Sequence, residues 1–277
     1  MSELIITSPA NARLKSLVSL RRRRAREDAG LTLIEGYDEL SLALDAGVVP
    51  RTVYHCPELM LDAAAQQDIL DRVQTLGSDT QQLGRAAFEK VAYREGPDGF
   101  LAVVDSVVRS CADLAVVGPA PLALICQGVE KPGNLGAMLR TADAAGVDAV
   151  VAVDPVTDWS NPNLVRASKG TVFSVPVASA GTPEALTWLS EHGIPLAATT
   201  PDTDLDYTDV DYTGPIAIAV GAEKYGLTDE ILAAATYRIR IPMAGRANSL
   251  NVATSAAVVI YEAVRQRRRA LTSGHTV

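Results

Sequence analysis

The sequence predicts an α/β protein of two domains, in which the C-terminal domain is built around a parallel sheet and the smaller N-terminal domain is also α/β. Short apolar segments alternate with helical segments along most of the chain, which is the pattern of strands connected by helices. In the second half the apolar segments are continuous, as expected for parallel strands that are buried on both faces. Glycine-rich turns follow three of these strands, where such turns typically connect a strand to a helix.

The overall composition excludes several classes of protein. The chain has 277 residues, is 48% hydrophobic and carries a formal net charge of −8, so it can bury a proper core and is not disordered. Its three cysteines are far apart and its three histidines form no cluster, which supports neither a disulfide framework nor a metal site. No apolar run is long enough to span a membrane and no signal-peptide core is present. We therefore expect a reduced, soluble, cytoplasmic protein without a membrane partner.

The N-terminal domain is predicted to span residues 1–108 and to begin with a basic helix over residues 11–26. Charge runs of this kind usually form a solvated helix face. Here consecutive arginines cannot all lie on one outward face, which favours a polyanion as partner. The candidate contacts are Arg21, Arg22, Arg23, Arg24 and Arg26.

Further strands and helices complete this domain. Strands are predicted at residues 31–36, 51–55 and 100–104, and helices at 38–46, 61–76 and 85–92, with glycines directly after two of the helices. Gly118-Pro119-Ala120-Pro121 punctuates a stretch of weak pattern, so we place an interdomain linker at residues 109–120 and the second domain at 121–277.

The second domain is predicted to contain strands at 122–126, 149–153, 195–199 and 216–220, and helices at 135–145, 163–169 and 183–191. A last strand, in which Ile239 and Ile241 alternate with arginines, ends at Pro242. We expect Ser249 or Asn248 to cap the final helix, whose apolar face is Leu250, Ala253, Ala257, Ile260, Tyr261 and Val264. Taken alone, this stretch is either an ordinary βα unit or a cleft for a polar small molecule. Five aspartates between residues 202 and 211 are interpreted as a solvated acidic loop, since no calcium-binding pattern is present.

The three glycine turns lie at residues 130–143, 221–227 and 238–253. The first lacks the nicotinamide fingerprint and the second lacks the ending of a phosphate-binding P-loop. In this order and spacing, the three turns resemble the motifs of the SpoU/TrmH family of RNA ribose 2′-O-methyltransferases, over roughly residues 122–269. The N-terminal part is similar to the ribosomal-protein-like substrate-binding domain of rRNA-modifying members. The resemblance implies S-adenosylmethionine as cofactor, no metal, RNA as the partner of the basic cluster, a C-terminal trefoil knot and a homodimer.

The resemblance also implies the site residues. The catalytic positions are Asn134, Arg140, Glu223, Ser249 and Asn251, and the cofactor positions are Thr199, Gly221, Ile241, Met243 and Leu250. Because a guanidinium stays protonated and is a poor base, we expect Arg140 to grip RNA phosphate and to stabilise the developing alkoxide. An RNA phosphate oxygen is our hypothesis for the proton acceptor. Each assignment has a plainer alternative. Arg140 could form a surface pair with Asp143, and Asn134, Ser249 and Asn251 could be helix caps. Glu223 could be an exposed turn carboxylate, and the apolar cofactor positions could be ordinary core residues.

The predicted function is 2′-O-methylation of 23S rRNA, because an extra N-terminal domain supplies a reader for folded RNA. A tRNA 2′-O-methyltransferase is one alternative. The other is a noncatalytic RNA-binding protein of ribosome assembly, against which the intact motif residues argue.

Overall fold

The structure, a computed structural model, describes residues 5–115 and 118–273. Its contacts divide the chain into two compact units: Met1–Val107 with Asp158–Ser174, and Val108–Thr157 with Val175–Val277. The units differ from the predicted domains because residues 158–174 leave the second half and pack in the first unit. Residues 116–117 of the predicted linker lie outside the described residues. Cys111 and Leu114, also in that linker, are buried in the core of the second unit.

The first unit contains a four-stranded sheet with the order β1-β4-β2-β3. Strand β4 is antiparallel to both of its neighbours, whereas β2 and β3 are parallel. Its strands are β1 (Leu31–Glu35), β2 (Thr52–His55), β3 (Asp79–Gln82) and β4 (Phe100–Asp105), and its first five helices are α1 (Ala12–Ser19), α2 (Arg23–Ala29), α3 (Tyr37–Asp45), α4 (Ala63–Thr75) and α5 (Arg85–Val91). The sequence did not predict β3, because this polar edge strand lacks an alternating apolar pattern.

The single basic helix predicted over residues 11–26 is wrong, because the helix breaks between Ser19 and Arg23. The backbone N–H groups of Leu20, Arg21 and Arg22 donate to the carbonyls three residues earlier. This is the hydrogen-bond pattern of a 3₁₀ turn, which is frequent at helix ends. As a result, Arg21 and Arg22 lie between the two helices, whereas Arg23, Arg24 and Arg26 lie in the second one.

Glu35, at the end of β1, is a buried carboxyl group. It is 5% exposed and accepts hydrogen bonds from the backbone N–H groups of Tyr93 at 2.6 Å and Arg94 at 3.4 Å. Burial raises the pKa of Glu35, and the two backbone donors only partly oppose this effect.

The second unit contains a six-stranded sheet in which every neighbouring pair is parallel. The strand order is β10-β8-β9-β5-β6-β7. The strands are β5 (Leu122–Gln127), β6 (Ala149–Val153), β7 (Val177–Ala180), β8 (Leu196–Thr199), β9 (Ile216–Val220) and β10 (Tyr237–Ile239), and the remaining helices of the chain are α6 (Pro132–Ala145), α7 (Pro162–Ala167), α8 (Thr182–Glu191), α9 (Asp229–Ala234) and α10 (Val252–Ser273). Strands β5, β6 and β9 are buried along their whole length. The prediction of an α/β fold with a parallel sheet is therefore confirmed.

Helix α7 belongs to the segment 158–174, which packs against β1 and α3. The Thr32 hydroxyl donates a 2.5 Å hydrogen bond to the carbonyl of Ser160. Gly170 has a φ of +84°, and a Cβ at this position would lie 2.8 Å from the carbonyl oxygen of Glu39. A glycine is therefore required for this close approach.

The start of α10 differs from the prediction. Asn251 is the N-cap, since its side-chain oxygen accepts from the backbone N–H groups of Ala253 at 3.0 Å and Thr254 at 3.4 Å. Leu250 therefore lies outside the helix and is 37% exposed. The buried apolar positions of α10 are Val252, Ala253, Ala256, Val259, Ile260 and Ala263, and Glu262 is buried as well. The helix packs against α6. Among the described helices, none combines the length and apolarity needed to cross a membrane.

Candidate active site

A cleft of about 1120 Å³ lies in the second unit, next to the carboxyl ends of several strands. Three chain segments line it, within residues 199–202, 220–232 and 239–255. These segments follow β8, β9 and β10, which lie on one side of the sheet. Because parallel strands end at the same edge, the fold brings together turns that are distant in sequence.

The turn after β9 depends on the glycine at position 221. It is closed by two backbone hydrogen bonds, from Ala222 N to Gly226 O at 3.1 Å and from Gly226 N to Ala222 O at 2.8 Å. A Cβ on Gly221 would lie 2.1 Å from the carbonyl carbon of Gly226 and 2.3 Å from the backbone nitrogen of Leu227. Only glycine fits this turn, whose tip carries Glu223.

A polar cluster joins all three glycine-turn motifs. Glu223 binds the Lys131 ammonium at 2.5 Å and accepts a hydrogen bond from the side-chain amide of Asn134. The Asn251 amide donates to the side-chain oxygen of Asn134 at 3.2 Å, while Asn251 also caps α10. Each amide is thus held in one orientation by partners on both sides. Lys131 is a member that the sequence analysis missed, although it lies within the first motif.

Arg140 lies elsewhere on α6. Its side chain is exposed, and no hydrogen bond or ion pair of its guanidinium is found among the described residues. Arg140 does not line the cleft of its own chain. Its charge is therefore available to a binding partner.

The positions expected to bind the cofactor all line the cleft: Thr199, Gly221, Ile241, Met243 and Leu250. Glu223, Ser249 and Asn251 line it as well. Among the backbone hydrogen bonds of the described chain, none uses the N–H groups of Ile241, Met243 or Leu250. These donors are available for a ligand, whereas the Thr199 hydroxyl donates to the carbonyl of Ala219 at 2.9 Å.

A buried network supports the neighbouring loops. The side chain of Gln127, 3% exposed at the end of β5, donates to the hydroxyls of Thr182 at 2.9 Å and Thr228 at 3.0 Å. The Thr182 hydroxyl donates to Asp154 at 2.5 Å. This bond, together with the weaker donation from Gln127, lowers the pKa of Asp154. The signal that could have revealed Gln127 is a polar residue at the end of an apolar strand.

Tyr225 is an aromatic residue on the wall of the cleft that the sequence analysis did not single out. It is 75% exposed, and the Lys224 ammonium lies 4.9 Å from the centre of its ring. An exposed aromatic ring beside a cation is suited to stacking on a nucleobase. Among the described residues, no group of three or more histidines, cysteines or carboxylates could hold a metal ion.

The basic cluster of the first unit requires a correction at Arg26. This side chain is 2% exposed, pairs with Asp158 at 2.6 Å and donates to the carbonyls of Leu20 and Arg21, each at 3.1 Å. Arg26 is a structural residue and is withdrawn as a candidate RNA contact, because its guanidinium is enclosed by protein.

The other four arginines differ in how far they are engaged. Arg21 donates to the carbonyl of Ala92 at 2.7 Å, just after α5, and lies over the ring of Tyr93. Arg23 and Arg24 form exposed pairs on α2, at 2.7 Å and 3.8 Å, which contribute little to stability. Arg22 is exposed, and within residues 5–115 and 118–273 no hydrogen bond or ion pair to its side chain is found.

Comparison with known proteins places this geometry in a family. A family model described as the SpoU rRNA methylase family matches residues 121–261, and one described as the MRM3-like substrate binding domain matches residues 11–102. A 23S rRNA (uridine(2479)-2′-O)-methyltransferase from Streptomyces viridochromogenes is 32% identical over 269 residues, covering 93% of this chain and 91% of the relative.

Two further similarities differ in extent. A tRNA (guanosine(18)-2′-O)-methyltransferase from Thermus thermophilus is 42% identical over 151 residues, covering 54% of this chain and 77% of that relative. The crystal structure of an AdoMet-bound rRNA methyltransferase from Sinorhizobium meliloti superposes with a TM-score of 0.86 at 27% identity, covering 95% of this chain and 97% of the other. The resemblance of the three motifs is thereby confirmed, and the chain belongs to the SpoU rRNA methylase family.

Proposed function

We propose that this protein transfers a methyl group from S-adenosylmethionine to a ribose 2′-hydroxyl of RNA, and that its substrate is 23S rRNA. The observation that carries the proposal is the Asn134–Glu223–Asn251 cluster beside a cleft lined by the two later motifs. Membership of the SpoU rRNA methylase family supports the reaction. The relative named for uridine 2479 of 23S rRNA, which matches nearly the whole chain, supports the substrate.

The residues of the cleft fit S-adenosylmethionine. The Gly221 turn lets backbone approach a ligand closely, and the N–H groups of Ile241, Met243 and Leu250 can bind the polar edge of an adenine. The volume of about 1120 Å³ exceeds the ~300–1,000 Å³ of most small-molecule sites, so a ribose can enter beside the cofactor. When bound, S-adenosylmethionine supplies an electrophilic methyl group.

The side chains of the cluster orient the ribose. Glu223 already accepts from Lys131 and Asn134, so its role is to hold the Asn134 amide in place. Ser249 presents an exposed hydroxyl at the cleft and can bind the sugar. Arg140 binds an RNA phosphate and stabilises negative charge that develops on the 2′-oxygen. The proton passes to an RNA phosphate oxygen, since guanidinium cannot accept it.

The proposed assembly is a homodimer whose C-terminal domain contains a trefoil knot. The support from the structure is that Arg140 does not line the cleft of its own chain, so the site is incomplete unless a partner supplies that charge. The homodimer agrees with the closed two-fold symmetry most common among soluble oligomers. We place the enzyme in the cytoplasm, where rRNA is made and where three buried free cysteines stay reduced.

Mixed dimers test this arrangement. Arg140→Ala and Gly221→Ala subunits with different affinity tags are co-expressed, and the dimers that carry both tags are compared with each parent. The assay uses S-adenosylmethionine well below its dissociation constant, where tenfold weaker binding leaves the Gly221→Ala parent about a tenth of wild-type activity or less. If Arg140 serves the partner's cleft, an unsorted mixture then regains about a quarter of wild-type activity, because half of the dimers each contain one intact site. An active monomer, or mixed dimers as inactive as both parents, would refute the arrangement.

The reaction itself is tested with purified protein. Calorimetry in EDTA should show one S-adenosylmethionine site per chain, and nucleoside mass spectrometry should find a 2′-O-methylated nucleoside in a 23S rRNA transcript. A folded dimer that binds no S-adenosylmethionine, or a methyl group found on a base, would contradict the proposal. Because the Thermus thermophilus relative is named for tRNA, a tRNA transcript is the competing substrate, and methylation of tRNA alone would favour that alternative.

A further inference from the structure

A second cleft, of about 580 Å³, lies wholly within the first unit, between the α1–α2 region and one end of the sheet. We call it the Tyr54 cleft, and its walls include Arg13, Leu17, Arg51, Tyr54, Asp79 and Val103. Neither the three motifs nor the proposed methyl-transfer chemistry uses it. Its volume is that of a site for one small ligand.

The floor of the Tyr54 cleft is apolar with one polar atom that lacks a protein partner. Leu17 and Val103 are buried there. Tyr54 is 8% exposed, and among the described residues its hydroxyl forms no hydrogen bond. This hydroxyl is not sealed inside the protein and remains accessible to solvent. It is therefore able to bond to a ligand that enters the cleft, whereas the hydroxyl of Tyr212 already donates to the carbonyl of Tyr207 at 2.8 Å.

The walls add donors and acceptors around this floor. Arg13 donates to the side chain of Gln81 at 3.3 Å, and Arg51 pairs with Asp105 at 2.7 Å. Each guanidinium therefore has a partner already, and the Asp79 carboxylate also lines the cleft. This environment disfavours a bare phosphate group, which would meet a like charge and an apolar floor.

A ligand that fits has flat apolar faces and a polar edge. We propose that the Tyr54 cleft binds one unpaired base of the RNA substrate, with the Tyr54 hydroxyl bonded to the edge of the base. The inference rests on the proposed function, in which RNA is the substrate. Proteins that recognise RNA by sequence typically bind bases splayed out from single-stranded loops, and a cleft of this volume accepts one base and excludes a duplex.

The neighbouring charge fits the same occupant. Ala25 and Ala29 of α2 line the Tyr54 cleft, and Arg22, which has no partner among the described residues, immediately precedes that helix. A nucleotide whose base fills the cleft has its phosphate outside it, where Arg22 can bind. The base contact then selects the sequence and the phosphate contact fixes the position.

The first test compares full-length variants in binding to a 23S rRNA transcript. Tyr54→Phe removes only the hydroxyl and should weaken binding about 2- to 10-fold, as for one lost hydrogen bond. A double variant, Ser16→Leu with Ala29→Leu, places apolar side chains in the cleft from two exposed positions. It should weaken binding about 5- to 100-fold, as for one lost base contact. The matched control is Ala12→Leu, an exposed position of α1 that does not line the cleft.

The second test maps the contact directly. Ultraviolet crosslinking of the wild-type protein to the transcript, followed by peptide mass spectrometry, should place a nucleotide on a peptide of the Tyr54 cleft. Affinity for S-adenosylmethionine should be unchanged in all variants, because the other unit forms that cleft. If the wild type methylates RNA while the double variant binds RNA as tightly as Ala12→Leu, and crosslinks avoid the cleft, this inference alone is overturned. A wild type that binds S-adenosylmethionine but neither binds nor methylates RNA overturns the proposed function instead.

Discussion

Substituting Gly221 by alanine should show whether the cofactor cleft depends on the close approach of backbone atoms at this position. The added methyl group would lie 2.1 Å from the carbonyl carbon of Gly226 and 2.3 Å from the backbone nitrogen of Leu227. All of its nearest neighbours are backbone atoms, so no side chain can move aside to relieve the overlap. The turn must open, and the two hydrogen bonds between Ala222 and Gly226 are strained or lost.

The expected magnitude follows from those two bonds. Each contributes about 1 kcal/mol net, so the free energy of unfolding should fall by about 2 kcal/mol, within the ~1–3 kcal/mol typical of overpacking. At ~2–4 °C per kcal/mol for a chain of this size, Tm should fall by about 4–8 °C. Because the turn lines the cleft, S-adenosylmethionine should bind at least about tenfold more weakly, which corresponds to ~1.4 kcal/mol.

Two glycines provide matched controls for this substitution. A Cβ at Gly133 or at Gly245 meets nothing within 4 Å, and each residue lies in another of the three motifs. Differential scanning calorimetry and titration calorimetry should therefore find Gly133→Ala and Gly245→Ala close to wild type. If Gly221→Ala shares their Tm and their cofactor affinity, the close approach of backbone does not shape the site and the reasoning fails.

Four further predictions concern ionisable residues. Arg140→Ala should lower kcat about 10²–10³-fold without changing cofactor affinity; near-normal turnover would assign it no catalytic role. Arg26→Ala should cost about 3 kcal/mol of stability, because it leaves Asp158 without its buried partner. By contrast, Arg22→Ala should leave Tm unchanged and reduce the slope of log RNA affinity against log salt concentration by ~0.7. A loss of stability in Arg22→Ala, together with a reduced salt slope but full stability in Arg26→Ala, would refute our interpretation of the cluster. Because burial raises the pKa of Glu35, the stability linked to its protonation is fully present below the unfolded-state pKa of ~4.3 and is lost as pH rises through the folded-state value. The free energy of unfolding of wild type relative to Glu35→Gln, from urea titrations, should therefore fall as pH rises, and a constant difference would contradict this.

The elements that the sequence predicted well are those in which local pattern and burial agree. Strands β5, β6 and β9 are continuous apolar runs, and the structure buries every residue in them. The elements that it missed carry weak patterns. β3 is a polar edge strand and β7 is a four-residue strand with the sequence Val-Ala-Ser-Ala. Their positions depend on pairing with a neighbouring strand, which local periodicity does not report.

The candidate site shows the same division. The glycine turns and their polar residues could be identified from the sequence, because the backbone of a tight strand-to-helix turn demands glycine at particular positions. The cap of α10 was assigned to Ser249 or Asn248, whereas Asn251 performs it. Three candidate caps occur within four residues, and only the path of the chain decides which one reaches the free N–H groups.

The sequence by itself determined the class of fold, the parallel character of the main sheet and the three turns that approach its edge. Only the tertiary structure decided which side chains meet. Asn134 binds Glu223 across 89 positions of sequence, and Arg26 finds Asp158 across 132, so one arginine of a uniform cluster became structural while Arg22 stayed available. The physical reason is that the burial and pairing of a charge depend on groups brought close by the fold of the whole chain, whereas periodicity and turn chemistry act over a few residues.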